Sequence, residues 1–141
     1  LKVGLNILSC IEILRKNLIL FNNRQINVGC FIEPDLEQIK ALKKINISTI
    51  EFHTGKYASA NKQNDIEFYF QELKNAIEFS NKIGFNCHAG HGLNFKNVAR
   101  IASIKQIKEL NIGHFLIGES IFSGLENTII KMREIINVSR S

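Results

Sequence analysis

Cysteine is scarce in this chain of 141 residues, with three in all: Cys10, Cys30 and Cys87. They share no CxxC spacing, and an odd count argues against a disulfide framework or a zinc knuckle. Their apolar surroundings predict packing roles in a reducing compartment, the cytoplasm. Proline occurs once, at Pro34. No apolar run approaches the ~20 residues of a membrane-spanning helix, so no membrane is expected as a partner. No secretory pattern opens the chain. Low-complexity segments and interdomain linkers are lacking too, which predicts one domain. No zinc-finger, basic-zipper or RNA-binding aromatic signature is present. The net charge is +5, but its lysines are scattered and Lys43-Lys44 is their only doublet. That pattern fits a solvated surface with a mild field for anionic metabolites, and no nucleic acid is expected as a partner.

The apolar pattern that remains has a clear order. Leu5, Leu8, Ile11, Leu14 and Leu18 fall at helical spacing and predict a helix over residues 5–21. Ile26 to Ile32 reads as a strand that ends at Glu33-Pro34-Asp35, because proline cannot continue a ladder. A helix follows to about Lys44. Ile47 to Phe52 is a second strand, and a polar stretch follows from Lys56 to Asn64. Asn64 and Glu67 have the spacing of a capping box, opening a helix to about Ile83. Phe85 to Ala89 is a third strand. A helix capped by Asn94 is predicted through about Ile107, then a short strand over Leu110 to Ile112. One closing helix is expected from Ile121 to Ile136, with Val138 to Ser141 frayed. The result is a helix followed by four strand–helix units, the signature of a parallel α/β sheet. No strand alternates cleanly, which predicts burial on both faces.

Polar chemistry gathers where such folds place it, at the C-terminal strand ends. Strand one ends at Glu33 and Asp35, strand two at Glu51, His53 and Thr54. Strand three ends at His88 and His91, strand four at Asn111 and His114. Cys87-His88-Ala89-Gly90-His91-Gly92-Leu93 sets an imidazole among glycines, suited to an anion that needs a proton moved. Gly113-His114 repeats the idea. These glycines either admit a phosphate or simply make tight turns. Glu51 is either a group for a cationic intermediate or proton, or a structural ion-pair carboxylate. His53 is read as a turn cap with Thr54, and His88 as packing. The histidines lie on three strands without metal-ligand spacing, so no metal is expected.

Ile32-Glu33-Pro34-Asp35, Ile50-Glu51-Phe52-His53-Thr54-Gly55-Lys56-Tyr57-Ala58, Ala89-Gly90-His91-Gly92-Leu93-Asn94 and Leu110-Asn111-Ile112-Gly113-His114 together resemble the pyridoxine 5′-phosphate synthase family. Ile117-Gly118 and Gly124-Leu125-Glu126 extend the match, from about Gly4 to Met132. The resemblance implies a (β/α)8 TIM barrel. It implies condensation of 3-amino-2-oxopropyl phosphate with 1-deoxy-D-xylulose 5-phosphate to pyridoxine 5′-phosphate and phosphate, without metal or organic cofactor. A cytoplasmic homo-octamer is also implied. By motif match, His91 resembles the family's proton donor and Glu51 its transition-state stabiliser. Gly92, Gly113 and His114 resemble contacts to the aminoketone phosphate. Two positions depart from the pattern: His88 stands where the family usually has asparagine, and Glu119 where it often has arginine.

Length is the larger departure, because such a barrel needs about 250 residues. Residues 1–141 are read as the last four strand–helix units, the C-terminal half of one barrel domain. Leu1 is not a start methionine, which suits a longer polypeptide or a trimmed N-terminus. Alone, the segment is expected to be inactive. The rival readings are another phosphate-binding barrel lyase or isomerase, and a non-catalytic flavodoxin-like α/β binding module.

Overall fold

The computed structural model describes residues 4–141. Asn6 caps α1 (Ile7–Asn22), its side chain accepting from the Ser9 N–H at 3.3 Å. The expected first strand is shorter than its apolar run. Ile26 donates to the Phe21 carbonyl (3.0 Å), which ties it to the helix end. Thus β1 spans only Gly29–Ile32. Asp35 then caps α2 (Leu36–Lys43) by accepting from Glu37 and Gln38 N–H at 2.8 and 3.0 Å.

β2 (Thr49–His53) is followed by a short helix, α3 (Gly55–Ser59), where the polar stretch begins. α4 (Gln63–Lys82) starts at Lys62 without a side-chain cap. The expected box of Asn64 and Glu67 does not form. Glu67 instead accepts from Gln71 and Arg100, a tertiary pairing that outcompetes a local one. β3 (Asn86–Gly90) and β4 (Ile107–Asn111) flank α5 (Val98–Ala102). That helix is far shorter than its periodicity suggested. Val98, Ile101 and Ile104 are all buried, but the chain leaves the helix in turns closed by the Ile104 and Ile107 N–H groups, and β4 begins at Ile107.

The single closing helix is in fact two, α6 (His114–Ser123) and α7 (Leu125–Arg140). Gly124 separates them at φ 77° and ψ 149°, a conformation open only to glycine. The expected frayed tail is also absent. The Arg140 guanidinium donates to the carbonyls of Ala102 and Ile107, both at 3.1 Å, which fixes the end of α7 beside α5.

All four strands are parallel, in the order β1-β2-β3-β4. Among the described residues the order never reverses, so this sheet has no switch point of the flavodoxin kind. Right-handed crossovers advancing one way place the helices on one face. Cys30, Ile32, Ile50, Phe52, Cys87, Ala89 and Ile107 are buried on that face with Ile39, Leu73, Ile77 and Ile101. The opposite face carries the paired row Phe31, Glu51, His88 and Glu109. It is half-open among the described residues, so burial alternates along β1 to β3 and the expected two-sided burial is not seen. The thiols of Cys30 and Cys87 are unpaired with each other and pushed up to about 11 by burial, as packing residues would be.

Candidate functional site

The C-terminal ends of β2, β3 and β4 open onto one cleft of about 700 Å³. That volume suits a small-molecule ligand. Glu51, His91, Gly92, Gly113 and His114 all line it, with Phe31, Asn94 and Asn111. Residues far apart in the chain, from Phe31 to His114, are therefore gathered by the parallel register. Glu51 sits on the half-open face between Phe31 and His88. His91 follows the last residue of β3 and is exposed.

Two glycines are required by close approach. A Cβ on Gly90 would lie 2.6 Å from Glu51 Oε1 and 2.8 Å from the Asn111 carbonyl. Gly92 has φ 79°, and a Cβ there would lie 2.8 Å from Ala58. His91 between them also has positive φ, 85°. A histidine held in that region stores backbone strain, which recurs at functional sites. Gly113 differs, since a Cβ there would meet nothing within 4 Å.

The loop that carries His91 is braced from below. Thr54 was read as a turn residue beside His53, but it reaches across to β3. Its hydroxyl lies 2.8 Å from the Gly90 carbonyl and 2.6 Å from that of His91, sharing one proton between them. The Thr54 N–H donates to Gly90 as well, at 2.9 Å. Beyond His91, Asn97 Nδ2 donates to the Gly92 carbonyl (3.2 Å) and its Oδ1 accepts from the Asn94 N–H (2.8 Å). Tyr57 donates to the Asn97 carbonyl at 3.0 Å.

Gly113 precedes α6, so the first N–H groups of that helix lack intrahelical partners at the cleft rim. Phe115, Leu116 and Ile117 lie in its first turns. Among the described residues, no lysine or arginine lines the cleft. Its capacity for an anion rests on backbone N–H groups and histidine.

His53 was read as a turn cap, and the structure gives it a different place. Its Nδ1 lies 2.6 Å from Glu33 Oε1. His88 is a packing residue of the open face, 3.7 Å from the Glu109 carboxylate. Glu119, where the resembled family often has arginine, accepts from Ser123 within α6 at 2.9 Å. Among the described residues, no group of three or more His, Cys, Asp or Glu is arranged to hold a metal ion.

Glu33 carries the site's clearest electrostatic signature. Burial alone would raise its carboxyl pKa. The Gly4 N–H (3.3 Å), His53 and Lys56 (3.3 Å from Oε2) outweigh burial and hold it below the usual 4.5. A depressed carboxyl pKa stabilises the fold above the unfolded value and loses that contribution as pH falls through the folded one. Glu33→Gln is therefore expected to flatten the acid side of the stability curve, below pH 4.5. Denaturation midpoints at stepped pH would check this, and parallel curves for the two proteins would refute it.

Residues 2–138 match the family described as pyridoxal phosphate biosynthesis protein PdxJ. A pyridoxine 5′-phosphate synthase of Sulfurihydrogenibium sp. is 41% identical over 133 residues, covering 94% of this chain and 54% of the relative. That of Pelagibacter ubique is 39% identical, over 95% of this chain and 56% of the relative. That of Zymomonas mobilis is 46% identical over 82% of this chain and 45% of the relative. The chain thus spans about half the length of the relatives it matches. A solved structure, the Amycolatopsis orientalis BexX/CysO complex, shares the fold with a TM-score of 0.60 at 17% identity. It matches 89% of this chain and 47% of its own. No helix among the described residues is long and apolar enough to cross a membrane. With nearly every residue inside the family match and the glycine-flanked histidine at the mouth of the cleft, the chain belongs to the PdxJ family of pyridoxal phosphate biosynthesis proteins.

Proposed function

We propose that this chain is the C-terminal half of a (β/α)8 barrel that makes pyridoxine 5′-phosphate. The substrates are 3-amino-2-oxopropyl phosphate and 1-deoxy-D-xylulose 5-phosphate, and inorganic phosphate is the second product. The observation that carries the reading is the convergence of His91, Glu51, Gly92, Gly113 and His114 on one cleft. Sheet order supports the barrel. Four parallel units in sequence, with helices on one face and a half-open face opposite, suit half of a closed barrel.

Amine and ketone first condense to an imine. Phosphate and water then leave, and the ring closes with loss of further water. Each elimination needs an acid beside the departing oxygen. Imidazole serves near neutral pH, and His91 brings an exposed imidazole to the cleft. Glu51 stabilises positive charge developing on nitrogen. The aminoketone phosphate lies against Gly92, Gly113 and His114, where the open N–H groups at the start of α6 suit an anion. No metal or organic cofactor enters these steps. The enzyme is a transferase-class, cytoplasmic homo-octamer. Residues 1–141 alone are inactive, because the remaining acid–base groups lie in the other half.

The test is to incubate the polypeptide its gene encodes with both phosphorylated substrates. Pyridoxine 5′-phosphate and phosphate are expected in equal amounts. Turnover of one phosphorylated substrate without the other would instead indicate a barrel lyase or isomerase. No product at all would overturn the reading.

A further inference from the structure

We propose that Glu33 and His53 are positioning residues that hold the imidazole of His91 in its working orientation. This rests on the reading of His91 as the proton donor. Glu33 follows β1, His53 ends β2 and His91 follows β3, so three adjacent strand ends supply one stack. His53 is only 7% exposed. Its ring lies 4.6 Å from that of His91, centroid to centroid, at an interplanar angle of 52°. Phe31 meets the His53 ring edge-on at 5.0 Å and reaches the His91 ring at 6.4 Å, so the three rings form one cluster.

The polar contacts give this stack one orientation. The Glu33 carboxylate accepts from Nδ1–H of His53, so a neutral His53 carries its lone pair on Nε2. That Nε2 is buried and has no hydrogen-bond partner. A buried polar atom left so is costly, and an apolar ring would avoid the cost if only packing mattered. Lys56 at 3.3 Å secures the other carboxylate oxygen from α3. Gly55, at the start of α3, closes over both rings. A Cβ there would lie 2.7 Å from Cε1 and Nε2 of His53 and 3.2 Å from Cδ2 of His91. His91 itself rides an exposed turn at positive φ. The buried ring packed against it steadies the imidazole, and Glu33 fixes the buried ring.

The experiment uses Glu33→Gln and His53→Phe in the full gene-encoded polypeptide. Both keep the approximate volume of the residue replaced. A proton donor tilted from its line of attack loses turnover rather than affinity, so kcat is expected to fall about 10- to 100-fold, with KM for both substrates within about 3-fold. Cooperative melting should persist. Should His53→Phe fail to fold, Glu33→Gln still decides, since the amide oxygen can accept from Nδ1 but lacks the charge. Ring resonances of His91 give a readout that needs no turnover. They are expected to shift in Glu33→Gln although Glu33 bonds His53. Unchanged kcat in the variants, an effect confined to KM, or unshifted His91 resonances would each overturn the proposal. If the unmodified protein makes no pyridoxine 5′-phosphate, the functional reading fails separately, and the His91 resonances alone then decide the positioning.

Discussion

His91→Asn in the full polypeptide is expected to lower turnover about 10²- to 10⁴-fold, the usual contribution of a positioned general acid. Asparagine is the substitution to use because of the backbone. His91 has φ 85°, and after glycine, asparagine most readily tolerates that region. The loop should keep its shape, since Thr54 grips the carbonyls of Gly90 and His91 rather than the imidazole. Stability should therefore change little while chemistry collapses. Steady-state rates with both substrates, alongside a denaturation curve, would check the pair of outcomes. Normal turnover in a folded variant would remove His91 from the proton-donor role. Loss of folding with loss of rate would show that the ring is needed first for structure.

The second large effect concerns the sheet beneath the site. Phe52→Ala should destabilise the full protein by about 3–5 kcal/mol, the range for emptying an aromatic side chain from a close-packed core. Phe52 is fully buried in β2 and pairs in register with Ile32 and Ala89. Its neighbours in sequence, Glu51 and His53, point to the opposite face. A cavity at Phe52 thus loosens the strand that presents both. Chemical denaturation with an unchanged slope would measure the loss. A change below about 1 kcal/mol would mean that the surrounding helices collapse into the space.

Much of this architecture was legible in the chain. Asp35 capped the helix expected to follow it, and α4 ended at Lys82, beside the expected Ile83, with Gly84 beyond it at φ 94°. The four parallel strands appeared in the expected order. Local signals succeeded where one residue type satisfies one backbone demand. They failed where a distant partner changed the answer. Glu67 had the spacing of a cap but went to Arg100, thirty-three positions away. Val138 to Ser141 looked like a loose end until Arg140 found the carbonyls of Ala102 and Ile107. The break at Gly124 was hidden by an apolar period that runs through it, because periodicity does not register a single backbone turn.

The site divides the same way. The pattern of strand ends alone marked His91, Glu51 and His114 as candidates, because a parallel sheet must put its chemistry there. Their common cleft follows from register, which no single segment contains. Only the tertiary structure turned His53 from a turn residue into a buried ring between Glu33 and His91, and Thr54 into the brace of the β3 turn. The physical reason is range. Strand alternation, caps and turns are set by neighbours within a few residues, and sequence displays those directly. A hydrogen bond across twenty or thirty-six positions depends on how the strands align, and only the folded sheet decides that.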